Sequence, residues 1–159
     1  KQLRHHGDEG GMVHVQLGTT GRLDNLQAGI LLEKFKFFEE DMNHRREAAK
    51  YYNEKLKDIV KVPEVAEYTE SVHAQYVIQV KENRDEVRKK LSELGIPTAL
   101  YYPHPIHLAP VLIEKLGYKE GDMPNSEYAS KHNIALPIDN DILKEEQDLV
   151  IDALKKVLK

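Results

Sequence analysis

The histidines of the segment YYPHPIH are the first residues whose type and spacing suggest chemistry. His104 and His107 are three residues apart, a spacing that suits metal ligands on a helix. Pro103 and Pro105 prevent an ordinary helix here, and in an extended chain side chains three apart point to opposite faces. No carboxylate lies within the segment to complete a ligand set. We therefore predict no metal site, and the residues alone indicate a rigid, polyproline-like loop.

The segment GTTG, Gly18–Gly21, is a second candidate because it stands directly before a predicted helix. Glycines and threonine hydroxyls at a helix start can bind an anion. The segment is nevertheless too short for a P-loop, with no strand before it and no lysine after it. An anion site and a plain loop both stay open, and LRHHG can equally be a plain loop.

Other common chemistries find little support in the sequence. Cysteine is absent, so disulfide and thiolate chemistry are excluded, and a reducing, cytosolic setting fits. No Ser–His–Asp order stands out, and the carboxylate pair Glu39–Glu40 is typical of a solvated helix face. On these signals the chain is a domain with a stiff loop that bears histidine and tyrosine.

Composition narrows the possible partners. Charged residues make up 31% of the 159 residues, with mixed signs and a net charge of −4, which argues against general nucleic-acid or membrane-surface binding. No apolar run approaches the roughly 20 residues of a membrane span, and the start has no signal-peptide pattern. The chain opens without methionine and without an apolar element, so we expect a fragment of a longer protein.

The elements that must position these residues begin with a long helix. Residues 1–21 hold five of the nine glycines and are predicted to be loop. From Arg22 to about Lys57 apolar residues repeat at helical spacing. This is long for one globular helix, and FKFFEEDMNH is a plausible break. The helix is polar at its start, has Gly29 in its middle and ends in aromatic residues.

Short strands and helices alternate after Lys57. The predicted strands are IVKVP, HAQYVIQV (His73–Val80) and IALP, and IPTALYYPHPIH is predicted to be extended. The predicted helices are NRDEVRKKLSELG, capped by Asn83 and stopped by Gly95, then LAPVLIEKLG, MPNSEYASKHN and DILKEEQDLVIDALKKVLK. This order indicates the α+β class: a long helix followed by a small, mostly antiparallel sheet covered by helices.

The runs LRHHG, LGTTGRLDNLQAGILLEKF and RREAAKYYNEKL resemble the downstream part of the DegT family. These are pyridoxal-phosphate (PLP) sugar-nucleotide aminotransferases of the aspartate aminotransferase superfamily, fold type I. The resemblance continues to the final helix and covers nearly all 159 residues. YYPHPIHL and LGYKEGDMPNSE most resemble the branch that aminates the 3-keto group of a nucleotide-linked N-acetyl-hexosamine or its uronic acid.

The resemblance implies that the Schiff-base lysine lies upstream, so no catalytic residue is assigned to this chain. Lys34 and Lys36 match no cofactor motif. Residues 1–35 would form the tail of the large domain, the cofactor and interface loop and the start of a connecting helix, and residues 36–159 the small C-terminal domain. That helix would run near a dimer interface, with its aromatic end in the small-domain core. A core helix with random polar decoration is the alternative.

The resemblance also implies roles for single residues. Thr20 stands where the family has an asparagine that binds the cofactor phosphate from the partner subunit, and its hydroxyl can donate one hydrogen bond. Arg22 matches the family arginine and could hold a carboxylate or diphosphate, or pair with a nearby acid. Tyr101, Tyr102 and His107 match the loop that contacts the sugar nucleotide across the dimer. Tyr101 replaces the histidine common in the most similar branch.

The function implied is transfer of an amino group from glutamate to a UDP-linked keto-sugar nucleotide in cell-surface polysaccharide biosynthesis. Pyridoxal 5′-phosphate, bound mainly by the missing part, supplies the chemistry. The implied enzyme is a cytoplasmic homodimer with shared active sites and no nucleic-acid or membrane partner, and the fragment alone is expected to be inactive. A dehydratase of the same fold and a non-catalytic dimerisation or binding fragment are the alternatives.

Overall fold

The computed structural model describes residues 1–81 and 83–159, and these fall into two units, Lys1–Glu39 and Glu40–Lys159. Within the described residues, no helix combines the length and the apolar character that crossing a bilayer requires.

The first unit begins with two loop segments that lie side by side. Backbone hydrogen bonds join them, with Thr19 N–H donating to Leu3 O at 2.8 Å. Gly7 has φ +76°, and a Cβ there would lie 1.7 Å from the Gln16 carbonyl oxygen. A Cβ at Gly18 would lie 2.2 Å from the Gly7 nitrogen. The close approach of LRHHG to LGTTG therefore requires glycine at both positions.

Helix α1, Asn25–Phe35, follows this loop and stops early. Asp24 precedes it as the N-cap, and the Asp24 N–H donates to Gln27 Oε1 at 3.3 Å. Helix α2 then spans Phe38–Leu56. The break between Phe35 and Phe38 confirms the predicted interruption within FKFFEEDMNH.

The aromatic end of α1 is exposed, and its place in the small-domain core stays a prediction. No residue of α1 is buried, and Phe35 is 71% exposed. Its ring stacks on that of Phe38 at 5.7 Å between centroids. Gly29 has open space around its Cα, with no atom within 4 Å of a built Cβ. Within its own unit, Lys1–Glu39, the apolar surface of α1 is thus exposed.

The core of the second unit is built on a two-stranded antiparallel sheet. Strands β1, Tyr76–Gln79, and β2, Asn133–Leu136, pair with Tyr76 opposite Leu136 and Gln79 opposite Asn133. Helices α2 and α6, Lys144–Val157, contribute their apolar faces to the same core. The fully buried core side chains include Tyr52, Tyr76, Leu56, Ile78, Leu91, Ile134, Leu154 and Val80.

Two predicted strands are shorter than expected. IVKVP contributes only the isolated bridge between Lys61 and Gln79, because the chain leaves the sheet edge after one residue. The strand predicted from His73 begins at Tyr76, and His73 itself has φ +46°, which extended backbone cannot accommodate. IALP is confirmed as β2.

The remaining helices agree with their capping signals. Helix α3, Arg84–Glu93, is capped by Asn83, whose side chain accepts from the N–H groups of Asp85 and Glu86. Gly95 ends that region with φ +81°. Helices α4, Pro110–Leu116, and α5, Pro124–His132, each start at the proline that predicted their entry. The predicted α+β class is confirmed.

Candidate functional site

The loop that carries the predicted aromatic residues leaves the edge of the sheet. Ala99 pairs with Ala135 of β2, its N–H donating at 3.1 Å and its carbonyl accepting at 2.9 Å. The prolines then keep the chain out of a helix until Pro105, and a short 3-10 helix, Ile106–Leu108, follows. The sheet and this 3-10 helix therefore hold the two ends of the loop.

Tyr101 and Tyr102 lie at the exposed part of this loop. Tyr101 is 38% exposed and Tyr102 is 70% exposed. Their rings meet edge to face, 5.8 Å apart, and the peptide bond between them is cis. Both phenol groups are thus accessible to a ligand.

An open cavity of about 690 Å³ lies beside the loop. One wall is the loop itself and the other is α5 with the start of β2: Tyr101, Tyr102, Pro103, His104, Pro105, Ile106, Ser126, Ala129, Ser130 and Asn133. Asn133 Oδ1 is buried and has no hydrogen-bond partner in the described part of the chain. Buried polar atoms usually have a partner, so the unpaired oxygen of this cavity-lining residue is unusual.

His107 does not line this cavity but is buried next to Glu127. It is 5% exposed, and its Nε2 lies 3.0 Å from Glu127 Oε1. The ring also meets the Tyr118 ring edge to face at 6.0 Å. His107 therefore contacts a second segment of its own unit, 20 residues further along the chain. A direct contact of His107 with substrate stays a prediction.

Glu127, in the first turn of α5, accepts several hydrogen bonds. Gly121 N–H donates at 2.8 Å to Oε1 and 3.1 Å to Oε2, and Met123 N–H donates to Oε1 at 3.3 Å. Burial of the carboxyl raises its pKa, but the hydrogen bonds from Gly121, His107 and Met123 oppose this and leave the pKa below its ordinary value. Glu127 is therefore ionised at neutral pH, and His107 Nε2 must carry the proton.

Thr20 and Arg22 belong to the first unit. Thr20 forms an isolated bridge with His5, and its Oγ1 lies 3.1 Å from His6 Nε2. If His6 donates to this oxygen, the Thr20 hydroxyl proton stays available for an anion. Arg22 is exposed and forms no ion pair within residues 1–81 and 83–159. Of the alternatives for Arg22, pairing with a nearby acid is not found there.

The structure gathers the predicted residues in two groups. Tyr101 and Tyr102 share one cavity wall, and His107 follows them on the same loop. Thr20 and Arg22 lie in the other unit, Lys1–Glu39. A separate cavity of about 450 Å³ between α2 and the start of α6 contains none of these residues.

Two participants escaped the sequence analysis, namely Glu127 and Asn133. Glu127 gave a local signal, since a carboxylate in the first turn of a helix accepts nearby N–H groups. Its pairing with His107 could not be read from the sequence. Asn133 gave no signal, because it reaches the cavity wall only through the tertiary fold, whereas His6 belongs to the LRHHG segment that carries the resemblance.

The donor groups of the first unit suit an anion such as a phosphate. A hydroxyl, an imidazole and a guanidinium, from Thr20, His6 and Arg22, all lie between Lys1 and Glu39. A buried amine is absent from the described chain: every lysine there is exposed or half-buried, and Lys36 pairs with Glu33 at 2.5 Å. Among the same residues, no three His, Asp or Glu side chains are placed to hold a metal ion. The side chains of Thr20, His6 and Arg22 are thus of the types that bind a phosphate.

Comparison with known proteins identifies relatives of the whole chain. The family model described as DegT/DnrJ/EryC1/StrS aminotransferase family matches residues 1–155. A pleiotropic regulatory protein of Geobacillus stearothermophilus is 37% identical over 156 residues, 96% of this chain and 41% of that protein. UDP-2-acetamido-2-deoxy-3-oxo-D-glucuronate aminotransferase of Pseudomonas aeruginosa is 32% identical over 139 residues, 87% of this chain and 37% of that protein.

The chain also superposes on solved structures. A DegT DnrJ EryC1 StrS aminotransferase from Brucella abortus superposes with a TM-score of 0.87 at 35% identity, over 98% of this chain and 41% of that one. NtdA from Bacillus subtilis, solved with bound cofactor PMP, has a TM-score of 0.83 at 28% identity, over 99% of this chain and 38% of that one. The chain therefore spans about two-fifths of the length of these relatives.

Proposed function

We propose, from the premise that this chain belongs to the DegT/DnrJ/EryC1/StrS aminotransferase family, that it is the C-terminal segment of a PLP-dependent sugar aminotransferase. The complete protein would transfer an amino group from glutamate to a keto-sugar nucleotide. The observation that carries this proposal is the family match over residues 1–155.

For the substrate we propose a UDP-linked 3-keto N-acetyl-hexosamine or its uronic acid. The Pseudomonas aeruginosa relative is named for a UDP-linked 3-oxo sugar acid, which supports this choice. The cavity beside Tyr101 and Tyr102 supports it physically, since phenol groups combine an apolar face with a hydroxyl. A sugar nucleotide presents both apolar rings and many hydrogen-bonding groups. Asn133 Oδ1 would accept one of the ligand's donors.

For the cofactor we propose PLP, with Thr20 among the residues that hold its phosphate. When bound, the cofactor supplies carbanion stabilisation, while the protein binds and orients. The Thr20 hydroxyl would donate to a phosphate oxygen, and a hydrogen bond from His6 would fix its direction. Arg22 would hold a diphosphate or carboxylate group of the substrate through two parallel N–H···O bonds.

For the assembly we propose a homodimer with shared active sites. The uncovered apolar surface of α1 supports an additional partner surface for this helix. The active site of the neighbouring subunit would then include Thr20, Arg22, Tyr101 and Tyr102. His107, on the same loop as the two tyrosines, would help to bind the substrate. Residues 1–35 would belong to the large domain and residues 36–159 to the small one.

The proposed function implies where the enzyme works and that the 159-residue chain alone is inactive. Nucleotide sugars and glutamate are soluble metabolites, so the enzyme would work in the cytoplasm, where it would supply amino sugars for cell-surface polysaccharide. The 159-residue chain alone would be inactive, since the family resemblance assigns the Schiff-base lysine to an upstream segment. Glutamate would be the amino donor of the complete protein.

The test uses the complete protein loaded with PLP. Glutamate should convert the cofactor to its amino form, and a UDP-linked 3-keto N-acetyl-hexosamine should return it, with an amino sugar detected by mass spectrometry. Loss of water from the sugar without gain of nitrogen would indicate a dehydratase instead. No reaction with either compound, in a folded and PLP-loaded protein, would contradict the proposal and favour a binding module.

A further inference from the structure

The loop that carries Tyr101 and Tyr102 has few fixed points of its own. Across the part of the chain that the structure describes, residues 100–104 make no backbone hydrogen bond and no side-chain hydrogen bond. Ala99 fixes the start of the loop through its pairing with Ala135. The next residue held by a polar contact from another element is His107. The geometry of the loop therefore depends on its two ends.

The contact at His107 is unusually well connected for a loop end. A single carboxylate, that of Glu127, accepts from His107 and from the backbone N–H groups of Gly121 and Met123. Both side chains are buried, at 5% exposure for His107 and 8% for Glu127. Hydrogen bonds to a charged group are stronger than neutral ones, and a buried carboxylate that loses a donor is costly.

We propose that His107 and Glu127 form a clasp that holds the loop Tyr101–Ile106 in its ligand-binding shape. In this role both are positioning residues, which act through Tyr101 and Tyr102. The inference rests on the proposed function for its effect on substrate binding, but not for its effect on the loop.

The connection from clasp to cavity is short. His107 directly follows Ile106, a lining residue, and Glu127 directly follows Ser126, which lies on the opposite wall. The hydrogen bond between His107 and Glu127 thus ties the two walls of the cavity together. If it is lost, the loop samples other conformations, and the apparent affinity falls in proportion to the fraction of loops in the binding shape.

The loss expected on breaking the clasp is roughly tenfold or more, the range for one charge-assisted hydrogen bond. The first variant is His107→Ala in the complete protein. The second is His107→Gln, whose amide nitrogen can replace Nε2 as donor to Glu127. Glu120→Gln is the matched control, because Glu120 pairs with Lys131 of α5 at 3.1 Å but both side chains are exposed.

Two measurements are made on each variant. Hydrogen–deuterium exchange of peptides covering residues 100–109 reports the loop, with α6 as an internal reference for folding. Titration with UDP reports ligand binding, and reduction of the PLP absorbance by glutamate alone reports the half-reaction that needs no sugar. His107→Ala should exchange faster in 100–109 and bind UDP about tenfold or more weakly. Exchange in α6 should not change, Glu120→Gln should resemble wild type, and His107→Gln should recover slow exchange in residues 100–109 together with UDP binding.

The outcomes separate this inference from the proposed function. Unchanged exchange at residues 100–109 in His107→Ala would overturn the clasp, whatever UDP does. Faster exchange with unchanged UDP binding would confirm the contact, but would overturn its role in ligand binding. If wild type itself does not bind UDP, the proposed substrate fails while the exchange data still decide the clasp. If His107→Ala does not fold, His107→Gln decides the question. Faster exchange at residues 100–109 in His107→Gln than in wild type would refute a clasp held by a hydrogen bond.

Discussion

Replacing Arg22 by alanine should weaken substrate binding far more than it weakens folding. Arg22 is exposed and forms no ion pair within residues 1–81 and 83–159, so its removal should change the unfolding free energy by no more than about 0.5 kcal/mol. A charge-assisted contact to an anionic substrate group is worth roughly 1.5–3 kcal/mol. At tenfold per about 1.4 kcal/mol, affinity should fall about ten- to 150-fold.

The assay compares the KM for the keto-sugar nucleotide with the urea midpoint of the complete enzyme. Tyr102→Phe, which removes one exposed hydroxyl, should cost less, near the roughly 0.5–1.5 kcal/mol of a neutral hydrogen bond. Arg4→Ala serves as the control. Arg4 belongs to the same unit as Arg22, Lys1–Glu39, and we assign no role to its guanidinium.

Subunit mixing tests whether Arg22 acts in the neighbouring active site. Arg22→Ala is mixed with a variant that lacks the upstream Schiff-base lysine, so that in a mixed dimer one site has both defects and the other has neither. After free exchange, activity should approach about a quarter of wild type, because about half of the dimers are mixed and each holds one intact site of two. If folded dimers exchange and recover nothing, Arg22 acts within its own subunit or not at all.

Three further predictions concern the cofactor and pH. Thr20→Asn in the complete enzyme should tighten PLP binding or leave it unchanged, because the family's asparagine is the better-placed donor; a large loss in a PLP titration would show that Thr20 makes a contact specific to this enzyme. The 159-residue chain alone, mixed with PLP and gel-filtered, should retain no cofactor absorbance; stoichiometric absorbance that borohydride fixes onto one lysine would refute the upstream placement. Burial lowers the pKa of His73, so below about pH 6.5 the unfolded chain binds more protons than the folded chain, and the free energy of unfolding should decrease as the pH is lowered. His73→Gln should reduce this pH dependence, measured by urea unfolding at several pH values below about 6.5.

The sequence by itself determined the local elements where short-range chemistry decides. Asn83 and Gly95 bounded α3, and Pro110 and Pro124 marked the first turns of α4 and α5. These signals work because a cap or a proline acts on backbone groups within a few residues of itself. The resemblance in RLDNLQAGIL and YYPHPIHL likewise identified the family, which the match over residues 1–155 confirms.

The lengths of the strands could not be predicted from the sequence, because a strand extends only as far as a neighbouring strand forms hydrogen bonds with it. IVKVP has suitable residues but meets the sheet at Lys61 alone, and the extended run from His73 pairs only from Tyr76. The family resemblance implied that the aromatic end of α1 joins the small-domain core, whereas Phe35 is exposed within its own unit. Apolar character alone does not say whether this chain supplies the covering surface.

The candidate site shows the same division. Residue types indicated Tyr101 and Tyr102 on a stiff loop, since proline fixes the backbone locally. Only the fold brings Glu127 to His107, because they lie 20 positions apart with α4 between them in sequence, while 3.0 Å separates Oε1 from Nε2 in space. A hydrogen bond between distant segments depends on how helices pack, and no local pattern encodes it. The sequence therefore named the groups that can bind a ligand, and the tertiary structure decided what holds them in place.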